Sequence, residues 1–192
     1  MFKNIIIIDN YSYPKGGTAQ VAYQSALELK KRNFNVEYIC TDSIPNKVLI
    51  DAGINVHIIE SKGIKYDNNR LRSAIHGIWN DKVYKNTINI LKNFNRKDTI
   101  IHIHGYLHNF SVSIIAACKK KKYKTILTLH DYFIVCPCGG FYNYSKKAIC
   151  TLKPMSLKCI ICNCDKRNYL QKIWRMLRQL FINHYIDRKS VV

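Results

Sequence analysis

Glycine, histidine and aspartate side chains stand at three places where a run of apolar residues ends. They are Asp9 with Gly16 and Gly17, His104 with Gly105, and His130 with Asp131. Glycines at the start of a helix leave backbone N–H groups free to hold a phosphate, and histidine is the usual acid or base near neutral pH. The pattern therefore indicates a site for a phosphorylated ligand. A plain tight turn and loop histidines are the structural alternatives.

The cysteines form a second group of residues that could do chemistry. Six of them lie between Cys136 and Cys164, and Cys159 and Cys162 are separated by the two residues typical of zinc sites. We expect Cys136, Cys150, Cys159 and Cys162 as the candidate set, although Cys138 could also complete it. Free thiols packed against a glycine-rich loop, or pairs that oxidise on cell lysis, are the other interpretations.

Alternating strand and helix patterns position these residues. Buried runs predict five strands, separated by stretches with helical periodicity. The predicted strands are Ile5–Ile8, Phe34–Cys40, Ile54–Ile59, Asp98–His104 and Lys124–Leu129. Such an order predicts an α/β fold with a Rossmann-like, doubly wound, mostly parallel sheet. Ligands of these sheets bind beyond the carboxyl ends of the strands, which is where the polar residues above fall.

Three other segments carry weaker predictions. Residues 61–80 are irregular and polar, which favours a loop with one helical turn. Asn33 suits a left-handed helix cap, and alternation places His102 and His104 on one face of their strand.

A C-terminal amphipathic helix follows the cysteines. Its apolar positions are Leu170, Ile173, Trp174, Leu177, Leu180, Phe181 and His184, and its polar positions include Lys172, Arg175, Arg178 and Gln179. One interpretation is a helix that docks its apolar face on the core. The other is a basic helix that lies on anionic lipid.

Composition bounds the possible partners. The 192 residues are 47% hydrophobic and carry a net charge of +19. This charge is typical of proteins that bind nucleic acid, anionic membrane or phosphorylated ligands, although an AT-rich coding sequence produces it without any partner. The apolar run before Asp9 is only four residues long, Ile5 to Ile8, so no secretory signal is predicted. No apolar run approaches the roughly 20 residues of a membrane span. We expect a cytoplasmic protein, peripheral at the inner face of the membrane if the last helix binds lipid.

The combination of motifs resembles the N-terminal domain of family 4 glycosyltransferases. The resemblance rests on Pro14-Lys15-Gly16-Gly17-Thr18, on Ile101-His102-Ile103-His104-Gly105, and on Thr128-Leu129-His130-Asp131-Tyr132 before Cys136-Pro137. It covers almost the whole chain. It implies the Rossmann-like first half of a GT-B enzyme that transfers sugar from a nucleotide donor to a polysaccharide or lipid-linked acceptor. The transfer would retain anomeric configuration and require no metal.

The resemblance also implies roles for individual residues. Gly16 and Gly17 would lie near the donor diphosphate, His130 would orient a hydroxyl of the donor sugar, and Asp131 would hold the loop beside it. Lys15 is a further candidate for the diphosphate, against a solvated loop lysine. His104 and Gly105 are the expected binding residues of the fourth strand.

These residues correspond to only part of a family 4 enzyme. A family 4 enzyme has a second, donor-binding domain with a pair of glutamates, which these residues do not supply. We therefore expect residues 1–192 to be one acceptor-side domain with a Cys-rich insertion at about 136–164, inactive alone, whose missing half a separate chain could supply. Val191 and Val192 have the character of a strand start.

Two other function classes remain open. A basic nucleic-acid binder would place aromatic residues among lysines and arginines on one exposed face, whereas Lys119–Lys122 has the character of a solvated helix end. We therefore expect no nucleic acid partner. A zinc-stabilised interaction module is the second alternative.

Overall fold

The computed structural model describes residues 2–63 and 67–186. The chain divides into two compact units, with the first ending at Thr128 and the second beginning at Leu129. The predictions for Val191 and Val192 lie outside the described residues.

Unit 1 is built on a five-stranded parallel sheet. Its strands are β1 (Asn4–Ile8), β2 (Asn35–Cys40), β3 (Asn55–Ile58), β4 (Thr99–Ile103) and β5 (Lys124–Leu127). Its helices are α1 (Gly17–Lys31), α2 (Lys47–Asp51), α3 (Arg70–Ile78), α4 (Asp81–Leu91) and α5 (Ser113–Lys120). The strand order is β3-β2-β1-β4-β5, so the chain winds outward from β1 in one direction and then in the other. The predicted Rossmann-like, doubly wound sheet is confirmed.

The central strand is covered on both faces. Ile6, Ile7 and Ile8 are fully buried, and successive side chains of a strand point to opposite faces. On one face Ile5 and Ile7 pack in a core with Ala22 and Ala26 of α1. Small residues on the helix let it approach the sheet closely, which fixes where the loop between β1 and α1 runs.

Two local predictions have different outcomes. Asn33 has a φ of 65°, and its N–H donates to the carbonyl of Lys30, so the predicted left-handed cap is confirmed. Residues 61–80 were expected to hold at most one helical turn, but α3 spans nine residues. Leu71 and Ile75 of α3 are exposed, so this helix lacks the buried apolar stripe by which a sequence reveals a helix.

Unit 2 contains little regular structure. A hairpin of β6 (Tyr142–Asn143) and β7 (Ala148–Ile149) is followed by α6 (Leu157–Ile161) and α7 (Tyr169–Tyr185). Within the described ranges no helix has the length and apolar content needed to cross a bilayer.

The core-docking interpretation of the long helix α7 is wrong, because this helix buries polar side chains and exposes apolar ones. Lys172, Arg178 and Gln179 are buried, whereas Leu170 is 76% and Leu180 55% exposed. The buried polar side chains have partners that offset the cost of burial. Lys172 donates to the carbonyls of Cys159 and Cys162, Arg178 lies over the Phe133 and Trp174 rings, and Gln179 donates to the Ile134 carbonyl.

Candidate functional site

The site in unit 1 lies where the sheet changes winding direction, between β1 and β4. These two strands are hydrogen-bonded neighbours, and Ile8 pairs with Ile103 at their ends. Asp9 and His104 are the next residues along each chain segment. Adjacent carboxyl ends of this kind form the ligand crevice of doubly wound sheets. The predicted convergence of these two polar residues is therefore realised in the fold.

The glycine loop forms the entrance to α1. Gly16 has a φ of 90°, which a side chain would strain, and a Cβ at either Gly16 or Gly17 would meet no atom within 4 Å. The helix begins without a side-chain cap. Lys15 is exposed and its ammonium lies 4.9 Å from the centre of the Tyr11 ring. The loop therefore presents helix N–H groups and one cation toward open space, as an anion site requires.

Asp9 is the most buried acidic side chain at this edge, with 1% of its surface exposed. Its Oδ2 accepts the N–H of Tyr11 at 3.0 Å. Burial raises the pKa of Asp9 to about 7, the charge of Asp42 adds to the rise, and the backbone N–H groups of Tyr11 and Gly105 oppose it. Near neutral pH this carboxyl can therefore both accept and release a proton.

Gly105 is required by the position of Asp9. A Cβ at Gly105 would lie 2.4 Å from Asp9 Oδ1 and 2.7 Å from Asn10 Nδ2. Both neighbours are buried, so neither can move aside into solvent. The predicted binding residue Gly105 thus has a structural role, since it lets the loop after β4 approach the carboxyl at the end of β1.

A polar network fixes the two loops together. Asp42 accepts hydrogen bonds from the N–H and hydroxyl of Ser12, the latter at 2.7 Å. Asn10 Oδ1 accepts the N–H of Asn109 at 3.1 Å, and Asn109 Nδ2 donates to Thr41 Oγ1 at 2.6 Å. These bonds join the segments that follow β1, β2 and β4 at one edge of the sheet.

His104 is 5% exposed and packs against His102, with ring centroids 4.1 Å apart. The two rings lie on one side of the strand, as alternation predicts. His102 Nε2 is 2.8 Å from Thr128 Oγ1. His104 therefore contributes to the inner part of this edge, deeper than the exposed glycine loop.

His130 and Asp131 lie in unit 2 and are both exposed. Asp131 Oδ1 accepts the N–H of Phe133 at 3.0 Å, which holds the turn after His130. Shielding by its neighbours lowers the pKa of His130, and the charge of Asp131 opposes this shift. His130 is therefore a neutral imidazole at neutral pH, able to donate one hydrogen bond and accept another.

The cysteines of unit 2 surround one small cavity. Cys136, Cys150 and Cys159 line it, as do Cys138, the predicted alternative ligand, and Cys164, which was not predicted as a ligand. Cys162 was in that set but does not line the cavity, and its Sγ accepts the Asn143 amide at 3.2 Å. Within residues 2–63 and 67–186, no group of three or more His, Cys, Asp or Glu side chains is arranged so that it could hold a metal ion.

Sequence reasoning placed Asp9 at the site without giving it a role, and it missed the roles of Asp42 and Lys172. The sequence did indicate that Asp9 is buried, since an acidic residue directly after four isoleucines of a buried strand must lie in or near the core. It gave no such indication for Asp42, because its partner Ser12 lies thirty positions away. Lys172 was assigned to the exposed face, because periodicity does not reveal which carbonyls will receive an ammonium.

Comparisons with known proteins give a limited result. No protein-family model matches the chain, and no curated protein matches it. Among solved structures it is similar to the crystal structure of Acinetobacter baumannii MurG, with 15% sequence identity and a TM-score of 0.48. The match covers 68% of this chain, which spans 35% of the length of that one. This similarity concerns the course of the backbone.

The raised pKa of Asp9 predicts a pH-dependent stability. The folded state keeps the Asp9 proton up to about pH 7, whereas the unfolded chain releases it near the ordinary value of 3.8. The contribution is therefore fully present below pH 3.8 and is lost as pH rises through about 7. Its size is about 4 kcal/mol, because each tenfold change in proton affinity corresponds to about 1.4 kcal/mol. Asp9→Asn should remove this slope, as measured by urea unfolding between about pH 5 and pH 8.

Asp131→Asn is the matched control, because Asp131 is exposed. It should retain the pH slope of the unchanged chain. An Asp9→Asn variant whose free energy of unfolding falls with pH as steeply as that of the unchanged chain would contradict the assignment.

Proposed function

We propose that this chain supplies the acceptor-side, Rossmann-like half of a GT-B glycosyltransferase. In this proposal the enzyme transfers sugar, with retention of anomeric configuration, from a nucleotide-sugar donor to a polysaccharide or lipid-linked acceptor. The observation that carries it is the open glycine loop, Gly16 and Gly17, at the start of α1 and at the switch point of the sheet. The motif resemblance supplies the reaction class.

The glycine loop suits a diphosphate for electrostatic reasons. The N-terminus of α1 carries a partial positive charge, and no side chain caps it. The space beside Gly16 and Gly17 is open to 4 Å, so phosphate oxygens can approach the backbone. A departing nucleoside diphosphate gains negative charge during transfer, and preorganised donors stabilise such charge best. The proposal needs no metal for this step.

His130 of unit 2 has the properties of a group that orients a sugar hydroxyl. His130 is exposed, neutral at neutral pH and held in a turn that Asp131 closes. A neutral imidazole can fix a sugar hydroxyl through one hydrogen bond. We assign His130 this role and Asp131 the role of holding the turn. Reaction also needs a donor-binding half, on this or a separate chain, because reacting atoms must be brought to about 3 to 3.5 Å.

The excess of lysine does not require a nucleic acid. Lys119 and Lys120 lie in the last turn of α5 and Lys121 caps it, where cations are favoured by the helix dipole. This run is therefore explained by the helix, and the proposal includes no nucleic acid partner.

A second contact surface is the exposed apolar face of α7. We define this face as Leu170, Ile173, Leu177, Leu180 and Phe181, which are 38–76% exposed. Exposed lysine and arginine, Lys158, Lys166 and Arg167, lie in the segments before α7. Apolar side chains together with nearby cations favour binding at an anionic bilayer surface. We propose peripheral contact of this kind at the cytoplasmic side, where a lipid-linked acceptor would be presented.

Filling the open space at Gly17 should separate binding from folding. Gly17→Ala adds a methyl group that meets no protein atom within 4 Å, and alanine favours a helix more than glycine does. We expect unchanged or slightly higher stability but loss of diphosphate binding, which in the unchanged chain should be millimolar, worth about 4 kcal/mol. Backbone NMR shifts of Gly16, Gly17 and Thr18 on titration with pyrophosphate and a nucleoside diphosphate measure this.

Gln24→Ala, an exposed change further along the same helix, is the control and should bind as the unchanged chain does. Shifts confined to the lysine run of α5 would remove the glycine loop from the site.

Removing the imidazole of His130 should lower turnover. In an enzyme that joins this chain to a donor-binding half, His130→Ala should reduce kcat by roughly 100-fold, a size typical of one positioned polar group. His76→Ala, on α3, is the matched control and should leave kcat unchanged. The assay follows sugar transfer from a panel of nucleotide sugars. Multiple turnover by residues 1–192 without the second half, or full activity of His130→Ala, would contradict the proposal.

Charging the apolar face of α7 should abolish lipid binding. Leu177→Glu with Leu180→Glu places two carboxylates on exposed positions, so folding should be preserved while insertion into a bilayer becomes costly. Sedimentation with vesicles of phosphatidylglycerol measures binding, and phosphatidylcholine vesicles report its electrostatic part. Leu71→Glu changes a similarly exposed leucine on α3 and should bind normally. Equal loss in both variants, or none in either, would remove α7 from the contact.

A further inference from the structure

The residues that line one cavity in unit 2 include five cysteines, and the sugar-transfer chemistry uses none of them. The cavity has a volume of about 10 Å³, close to that of a single water-sized site. It is thus large enough for one ion. Its cysteines are Cys136, Cys138, Cys150, Cys159 and Cys164.

The spacing of two thiols fits shared coordination. Cys138 Sγ and Cys164 Sγ are 3.6 Å apart, well beyond the S–S bond of about 2.05 Å in a disulfide. Two sulfurs at about 2.3 Å from a tetrahedral zinc ion are separated by about 3.8 Å. Asp165, the residue after Cys164, has its Oδ2 3.7 Å from Cys138 Sγ. The pair therefore stands close to the edge length of a zinc tetrahedron.

The charges around the cavity favour an anionic centre. Lys172 is fully buried and lines the cavity, and its ammonium donates to the carbonyls of Cys159 and Cys162. Arg175 Nε lies 3.1 Å from Asp165 Oδ2. Arg175 thus neutralises the carboxylate of Asp165, whereas the ammonium of Lys172 has only backbone carbonyls as partners. A zinc ion with four thiolates carries a net charge of about −2, which a neighbouring ammonium stabilises.

Unit 2 also lacks an ordinary apolar core. The buried hydrophobic residues between positions 129 and 186 are Ile134, Cys136, Cys159, Cys164 and Ile182. Three of these five are cysteines from the cavity. Small units with so little apolar burial generally need a disulfide or a metal for stability. A metal held by thiols would supply what the side-chain packing does not.

We propose that unit 2 binds one structural zinc ion through Cys138, Cys164 and two of the three other cavity thiols, Cys136, Cys150 and Cys159. On binding, four Zn–S bonds form and four thiol protons pass to solvent. The remaining sulfurs reach the ion by rotation about χ1, the only torsion that moves a cysteine sulfur on a fixed backbone. Cys162 is not a ligand. The site is independent of sugar transfer, and its role is to hold the hairpin β6–β7 to α6 and α7.

Metal content of the full chain tests the proposal. Protein expressed with added zinc and purified with a reductant but no chelator should carry close to one zinc per chain. Cys138→Ser and Cys164→Ser should each lose at least nine-tenths of that zinc. Cys162→Ser, in the same segment, and Cys40→Ser, in unit 1, should retain it. Single serine variants of the other three cavity cysteines then identify the remaining two ligands.

A second measurement covers variants that fail to fold. The unchanged chain, stripped of metal under reducing conditions, should take up one cobalt(II) ion with the strong visible absorption of tetrahedral thiolate coordination, and zinc should bleach that absorption. A chain that purifies without zinc and gives no cobalt spectrum overturns the proposal. So does full zinc retention in the Cys138→Ser, Cys164→Ser double variant, or a Cys138–Cys164 disulfide in peptide maps of the freshly reduced and repurified protein.

Discussion

The rest of unit 1 depends on the burial of β1 on every side. The strand is hydrogen-bonded to β2 on one edge and β4 on the other, and both of its faces are covered. Whatever follows such a strand begins inside the protein. Asp9 is therefore a carboxyl that the topology places in the interior, and the surrounding loops supply N–H donors and small residues to accommodate it.

The accommodation of Asp9 shapes the candidate site. Gly105 must lack a side chain because the carboxyl occupies that space. Backbone donors at Tyr11 and Gly105 stabilise its charged form only in part, so its proton affinity stays high. With this inner region filled by protein groups, the open part of the edge is the outer glycine loop. A ligand would thus contact the helix N–H groups directly. Its effect on the Asp9 carboxyl would be transmitted only through the loop residues.

The sequence was sufficient to predict the elements that have a clear pattern of apolar residues. The five strands could be predicted because their apolar runs lie in the core, and α7 could be predicted because its apolar periodicity extends over a long segment. The helix α3 was missed since its leucine and isoleucine face solvent. The orientation of α7 was misjudged because a buried lysine needs carbonyl partners, here those of Cys159 and Cys162, which lie elsewhere in the chain. Which cysteines share a cavity is likewise set by loops without periodicity.

The interiors of the two units differ in composition. Unit 1 buries aliphatic side chains between a sheet and helices, so the hydrophobic effect suffices for its stability. The interior of unit 2 instead holds Lys172, Arg178, Gln179 and Asp165 beside thiols. Each buried charge there is stabilised only while its partners stay in place. These partners include the carbonyls of Cys159 and Cys162 for Lys172, and the Phe133 and Trp174 rings for Arg178. The zinc ion that we propose would fix the segments that carry these partners, through cysteines of the same unit.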